Sequence, residues 1–206
     1  MGVSRIFLLS PAHCGGVRAR LVLAEDARFD LARRLRSPEG APLGEVMSFM
    51  SGLYFRGKLA YARAFARAPR RAGGILVITA GVGLRPADEP VTVDLLRRVA
   101  GVEVDAANPA YREPLEASAR SLAARIGRHC EVVLLGSIAS NKYTDVLSRI
   151  FGSRLLFPAD FVGRGDKSRG GLLLRCAAEG RELPYVPVEG ALRHGPRPPR
   201  LAPLAP

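Results

Sequence analysis

Short apolar runs recur along the chain, and each closes on a turn or loop. Arg5 to Ser10 (RIFLLS), Ile75 to Thr79 (ILVIT), Val132 to Leu135 (VVLL) and Leu155 to Phe157 (LLF) are too short for helices and predict buried strands. Between them the apolar spacing lengthens to helical. Leu43 to Ala68 carries Met50, Leu53, Tyr54, Tyr61 and Phe65 on one stripe, read as core, with Gly52 and Gly57 expected to break or bend it. A short basic helix is expected over Asp26 to Arg36. Thr92 is placed to cap another running to about Ala100. Ala110 to Ile126 puts Tyr111, Leu115, Ala119, Leu122 and Ile126 on one face. Further helices are expected from the turn after Leu135 to about Ile150, and from Gly171 to about Glu179.

Strand, turn, helix, strand, polar loop, helix is the order of a parallel α/β sheet. The expected fold is therefore α/β: a three-layer α/β/α sandwich around a central, mostly parallel four-stranded sheet. In such sheets ligands gather beyond the carboxyl ends of the strands, and the stretch Glu131 to Gly171 looks most like such a place. A last extended segment is expected over Pro184 to Val188. With no internal repeat, residues 1–190 read as a single domain and 191–206 as an irregular Pro/Arg-rich tail.

Composition sharpens the choice of partner. Of 206 residues, 31 are Lys or Arg and 19 are Asp or Glu, a net charge of +12. Lysine contributes only Lys58, Lys142 and Lys167, and the chain stays basic without the tail arginines Arg193, Arg197 and Arg200. An arginine-rich surface is either a solvated by-product of biased composition or the footprint of a polyanion partner. Three scattered cysteines, Cys14, Cys130 and Cys176, suit neither a disulfide framework nor a four-thiolate cluster. The pairs His13/Cys14 and His129/Cys130 have no usual zinc spacing, so no metal is expected. Ile6 to Leu9 is too short for the core of a secretory leader, and no apolar run approaches a membrane span. A cytoplasmic protein without cofactor or membrane contact, acting as a monomer, is the expectation.

The candidate chemistry sits on strand-end loops. After the first strand, Pro11-Ala12-His13-Cys14-Gly15-Gly16 lets backbone come close to a ligand. Ala80-Gly81-Val82-Gly83 follows the second, without the spacing of a nucleotide fingerprint. The loop beyond it carries Asp88 and Glu89. The third strand opens onto Gly136-Ser137, Lys142 and Tyr143, and the fourth onto FPADFVGRGDKSRGG.

This succession of loops resembles the uracil-DNA glycosylase superfamily. GSIASNKY is similar to the family's Gly-Ser-x-Ala turn, SPAHCGG to its water-activating loop, and the polar loop ending in SRGG to its DNA-inserting loop. ILVIT resembles the strand carrying the base-reading residue, and RELPYVPV the end of the family domain. The likeness spans most of residues 4–188. The chain departs from the pattern at Ser10, where the family has an acid, at Phe157, where it has a histidine, and at Thr79, near its base-reading asparagine. Excision of uracil itself is therefore not expected.

The resemblance implies an enzyme that flips a modified or damaged base and hydrolyses its N-glycosidic bond, with DNA as the foremost partner. The catalytic candidates are Ser10, His13, Asp88 and Asp160, since a carboxylate steadies an oxocarbenium-like state and a donor steadies the departing base. Pro11, Cys14, Thr79, Glu89, Ser137, Lys142, Tyr143 and Phe157 would form the base pocket. Phe161, Arg164, Asp166, Lys167, Ser168 and Arg169 would meet the strand. The plainer readings are an ion pair of Asp160 or Asp166 with Arg164 or Arg169, a small buried residue at Cys14, and an anchor for its loop at Phe161. The alternatives for the whole chain are a repair-accessory or nucleic-acid-binding protein without catalysis, and a hydrolase of free nucleosides or nucleotides.

Overall fold

A computed structural model of the chain describes residues 3–70, 72–199 and 201. The elements in chain order are β1 (Arg5–Leu9), α1 (Val17–Leu23), α2 (Asp30–Arg36), β2 (Ala41–Pro42), α3 (Leu43–Ser51) and α4 (Leu53–Phe65). Next come β3 (Ile75–Thr79), β4 (Gly83–Pro86), β5 (Pro90–Val91), α5 (Val93–Ala100) and α6 (Pro109–Ile126). β6 (Glu131–Leu135), α7 (Asn141–Phe151), β7 (Leu155–Pro158), α8 (Asp166–Glu179) and β8 (Tyr185–Pro187) complete the chain. The fold is α/β around a mixed sheet of six strands, where four were expected, in the order β4-β3-β1-β6-β7-β8. β3, β1, β6 and β7 run parallel, while β4 and β8 pair antiparallel at the two edges. The two added strands come from segments read as a loop (Gly83 to Pro86) and as an extended end (Tyr185 to Pro187). Ala41–Pro42 and Pro90–Val91 form a separate two-stranded ribbon.

The inner strands are apolar throughout because both of their faces are covered. Ile6, Phe7, Leu8, Leu9 and Val132 to Leu135 are fully buried, each side chain contributing about 1.5–3 kcal/mol. α4 packs on β1, β3, α3 and α8, whereas α6 packs on α7 and β4, and α7 on β7. At the amino-terminal edge of the sheet Arg5 joins Glu131 and Glu182, with its guanidinium 4.7 Å from the centre of the Tyr185 ring. The Tyr185 hydroxyl is 2.7 Å from that of Tyr61, which accepts the Leu183 N–H. These bonds tie the end of the chain to β1 on the side away from the inferred site.

Two glycines fix the helices. Gly52, at φ +64°, ends α3 and starts α4, the expected break. Gly57 does not bend α4; it lets α8 touch it. A Cβ on Gly57 would lie 2.5 Å from the Gly170 carbonyl oxygen, and one on Gly170 2.8 Å from the Leu53 oxygen and the Tyr54 Cα. α8 itself starts at Asp166, five residues before the expected Gly171, so Lys167, Ser168 and Arg169 belong to its first turn.

Tail residues 191–199 have no regular structure, and the backbone at Gly163 lies against Pro196. Arg200 and residues 202–206 of the expected tail lie outside the described residues. No helix among the described residues is long and apolar enough to cross a membrane.

Because the α4–α8 contact is backbone against backbone, the neighbours of Gly170 cannot yield by a rotamer change. Gly170→Ala should lower stability by about 1–3 kcal/mol, read as a lower urea midpoint with unchanged slope.

Candidate active site

β1 lies between β3 and β6, and the chain passes from β1 to β3 on one side before crossing to β6 on the other. The carboxyl ends of β1 and β6 thus form the point where strand order reverses, the usual ligand crevice of an open α/β sheet. Ser10 follows β1 there. Its N–H and hydroxyl both reach the Leu135 carbonyl, at 3.2 and 3.3 Å. Gly136 keeps this junction tight, because a Cβ on it would lie 3.0 Å from the Ser10 Cβ.

Onto this junction α4 projects Lys58. Its Nζ donates to the Ser10 carbonyl at 2.5 Å and to the Ser10 hydroxyl at 2.8 Å. The amine also sits 4.4 Å from the Tyr54 ring centre and 4.8 Å from that of Phe55. Lys58 is only 1% exposed. Burial, together with the like charge of Arg169, pushes its pKa down to about 7, although Asp166 pulls the other way. Near neutral pH a substantial fraction of this lysine is a free amine, a form that ordinary surface lysines do not offer.

One phenol, Tyr54, stands at the amine, and a second, Tyr143, stands near the first. The Tyr54 hydroxyl is buried without a hydrogen-bond partner. Its pKa is raised by burial, with the Arg169 charge acting against the shift. Tyr143, at the start of α7, is pushed up to about 12 by burial and by the Asp166 carboxylate. Both therefore remain protonated donors at neutral pH. Asp166 is exposed in the first turn of α8, 3.5 Å from the partly buried Arg169. The Gly57–Gly170 contact holds this turn of α8 beside Tyr54.

The sequence-predicted residues divide sharply. Ser10 and Tyr143 belong to the buried centre, with Asp166 and Arg169 at its rim. Pro11, His13 and Cys14 line a neighbouring cleft of about 420 Å³ with Ala80 and the Val99–Val104 segment. His13 is exposed, and burial pushes the Cys14 thiol up to about 11, leaving it protonated and inert as a nucleophile. Ser137 accepts the Ala139 N–H at 3.3 Å, and the Lys142 amine lies 5.9 Å from the Tyr143 ring centre.

Others stand elsewhere. The Thr79 hydroxyl turns back to the Val77 carbonyl at 3.2 Å and is buried. Phe157 is buried within β7. Asp88 is exposed and paired with Arg63 at 2.7 Å, and Glu89 is paired with Arg85. Asp160 is exposed, its carbonyl accepting the Arg164 Nε at 3.0 Å. Phe161 is 1% exposed, between the Tyr54 ring at 6.4 Å and the Arg169 guanidinium at 5.4 Å. It anchors its loop and presents no wedge to solvent. Arg164, Lys167 and Ser168 border a cleft of about 330 Å³ that the tail completes with Arg197. Among the described residues no carboxylate side chain is buried at the Ser10–Lys58 centre.

Sequence reading passed over Tyr54 and Lys58. Tyr54, Lys58, Tyr61 and Phe65 lie four, three and four residues apart, so the one lysine of α4 falls inside its apolar stripe. That misplaced charge was the available signal.

Among the described residues no three His, Cys, Asp or Glu side chains converge as metal ligands would. Cys14 follows the carboxyl end of β1 and Cys130 precedes the amino end of its parallel neighbour β6, so the two His/Cys pairs lie at opposite edges of the sheet. Compared with protein-family models, with curated proteins and with solved structures, the chain matches none.

The lysine leaves a mark on stability. Between pH 7 and about 10.5 the unfolded chain keeps a proton on Lys58 that the folded chain has shed, so this residue makes stability rise with pH across that window. Below it both forms are protonated and the full burial penalty applies. Lys58→Met should remove this rise, on the order of a few kcal/mol, in urea unfolding of both proteins from pH 6 to 10.

Proposed function

We propose that this chain is a base-excising enzyme of nucleic acid, flipping a non-standard base and breaking its N-glycosidic bond on a glycosylase-like α/β/α scaffold. The observation that carries the reading is the Lys58 amine set on Ser10 at the strand-order reversal, with the ring of Tyr54 against it. Catalytic sites use burial and neighbouring charge to hold an ionisable group away from its ordinary protonation state, and this one stands where an open α/β sheet binds ligands. The resemblance of the loops after β1, β6 and β7 to the uracil-DNA glycosylase superfamily supplies the reaction class. The cleft beside Pro11 and Cys14 has the size and apolar lining for a flipped base. Arg164, Lys167 and Arg197 form a basic face to grip the phosphates, contacts that position without specifying sequence.

In this reading Ser10, Lys58, Tyr54 and Tyr143 act on the sugar–base bond. Asp88, exposed and paired with Arg63, and the exposed Asp160 take no part in this proposal. A second reading, a binding protein without chemistry, draws on the absence of a buried carboxylate there. Turnover decides between them.

Duplex and single-stranded DNA carrying a panel of altered bases, followed by alkali, should show cleavage at one base other than uracil. Lys58→Met should lower that turnover by at least ~100-fold with binding retained. Binding with no cleavage at any base would favour the accessory protein. Affinity should fall steeply with salt, and Lys167→Ala should reduce the slope of log K against log[salt] by about 1, whereas a nucleoside hydrolase would show little slope.

A further inference from the structure

The centre contains an amine where the reaction needs a nucleophile, and the described residues bury no carboxylate beside it to activate water. Lys58 Nζ stands 2.8 Å from the Ser10 hydroxyl and 4.4 Å from the Tyr54 ring centre. Its two named neighbours are slightly more exposed than the amine, Ser10 at 6% and Tyr54 at 8% against 1% for the lysine. The Tyr54 hydroxyl, buried without a partner, has a proton to give and nothing to give it to. An unpaired donor inside a protein costs about 1–3 kcal/mol, and a leaving group that arrives with the substrate would satisfy it.

We propose that Lys58 is itself the nucleophile and forms an imine with C1′ of the substrate sugar, an inference that rests on the base-excision reading. The amine lone pair makes the N–C1′ bond while the glycosidic bonding pair leaves with the base. The base takes a proton from Tyr54, which becomes a phenolate. As the sugar ring opens, one amine proton passes to O4′, and the other remains on the nitrogen of the C1′ iminium. Water then adds at C1′, releases the aldehyde and the free amine, and the proton set free restores the phenol. No oxidant or metal enters the balance. The hydroxyl of Ser10 positions the amine by its hydrogen bond.

An abasic deoxyribose tests this without knowledge of the base, because its C1′ aldehyde condenses with the same amine. An oligonucleotide with one abasic site is incubated with the full chain and treated with borohydride, which delivers hydride to C1′ and fixes the imine as a secondary amine. Lys58, Lys142, Lys167 and the chain's amino terminus are the only primary amines, so peptide mass spectrometry of the wild-type adduct places it directly. The adduct is expected on Lys58, to be lost with Lys58→Met, and to be absent with a tetrahydrofuran site that lacks the aldehyde. An adduct confined to another amine, or none at all, overturns the proposal. If the altered-base panel is nevertheless cleaved, the base-excision reading stands and only the imine falls; if the panel too is silent, both fall.

Discussion

The contact of Gly57 with Gly170 governs the architecture of the candidate site. Two helices that meet through side chains pack 8–10 Å apart, and here a pair of glycines removes the spacer. α4 therefore lies against the start of α8 backbone to backbone. That approach sets Tyr54 beside Arg169 and Asp166 and covers Lys58, which is left 1% exposed. With side chains at the two glycines α8 would stand off, and the amine would have water where it now has Ser10 and two aromatic rings.

An amine so placed is held against its own chemistry. Burial and the nearby Arg169 oppose its charge, while two hydrogen bonds, two ring faces and the more distant Asp166 favour it. Burial prevails. Evolution of a purely structural core would fill this position more stably with Met or Leu, since an apolar residue of similar volume avoids desolvating a charge. Retaining lysine at the carboxyl end of β1, in a chain whose basic residues are otherwise almost all arginine, is sensible if a free amine is needed. Arginine could not supply one at any accessible pH.

Much of the frame was legible in the pattern of apolar runs. Ile75 to Thr79 and the four apolar residues Val132 to Leu135 lie in strands because they are short and uniformly buried, and Ala110 to Ile126 is helical because one face of it is apolar. The edge strands were not legible. Gly83-Leu84-Arg85-Pro86 has the composition of a turn and becomes a strand only because β3 offers it a partner, with Gly83 seated at φ +90° against the Pro114 carbonyl. The start of α8 was missed for a related reason: Asp166 to Gly170 is polar and glycine-rich, and α4 supplies the packing that makes it helical. At the site, periodicity placed Ser10, Ser137 and Tyr143 on one edge of the sheet. Loop position alone could not separate carboxylates that face solvent, Asp88 and Asp160, from groups that face inward. Lys58 was hidden because a stripe of apolar residues is read for what it buries, and a single lysine within it passes as noise.

The most direct test of this account follows the protonation of Lys58 itself. With only three lysines, the side-chain carbon next to each amine can be assigned by NMR and followed through a pH titration. One of them, Lys58, should titrate with a midpoint near 7. A midpoint near the ordinary lysine value of about 10.4 would contradict it, leaving a buried ammonium that serves the fold alone.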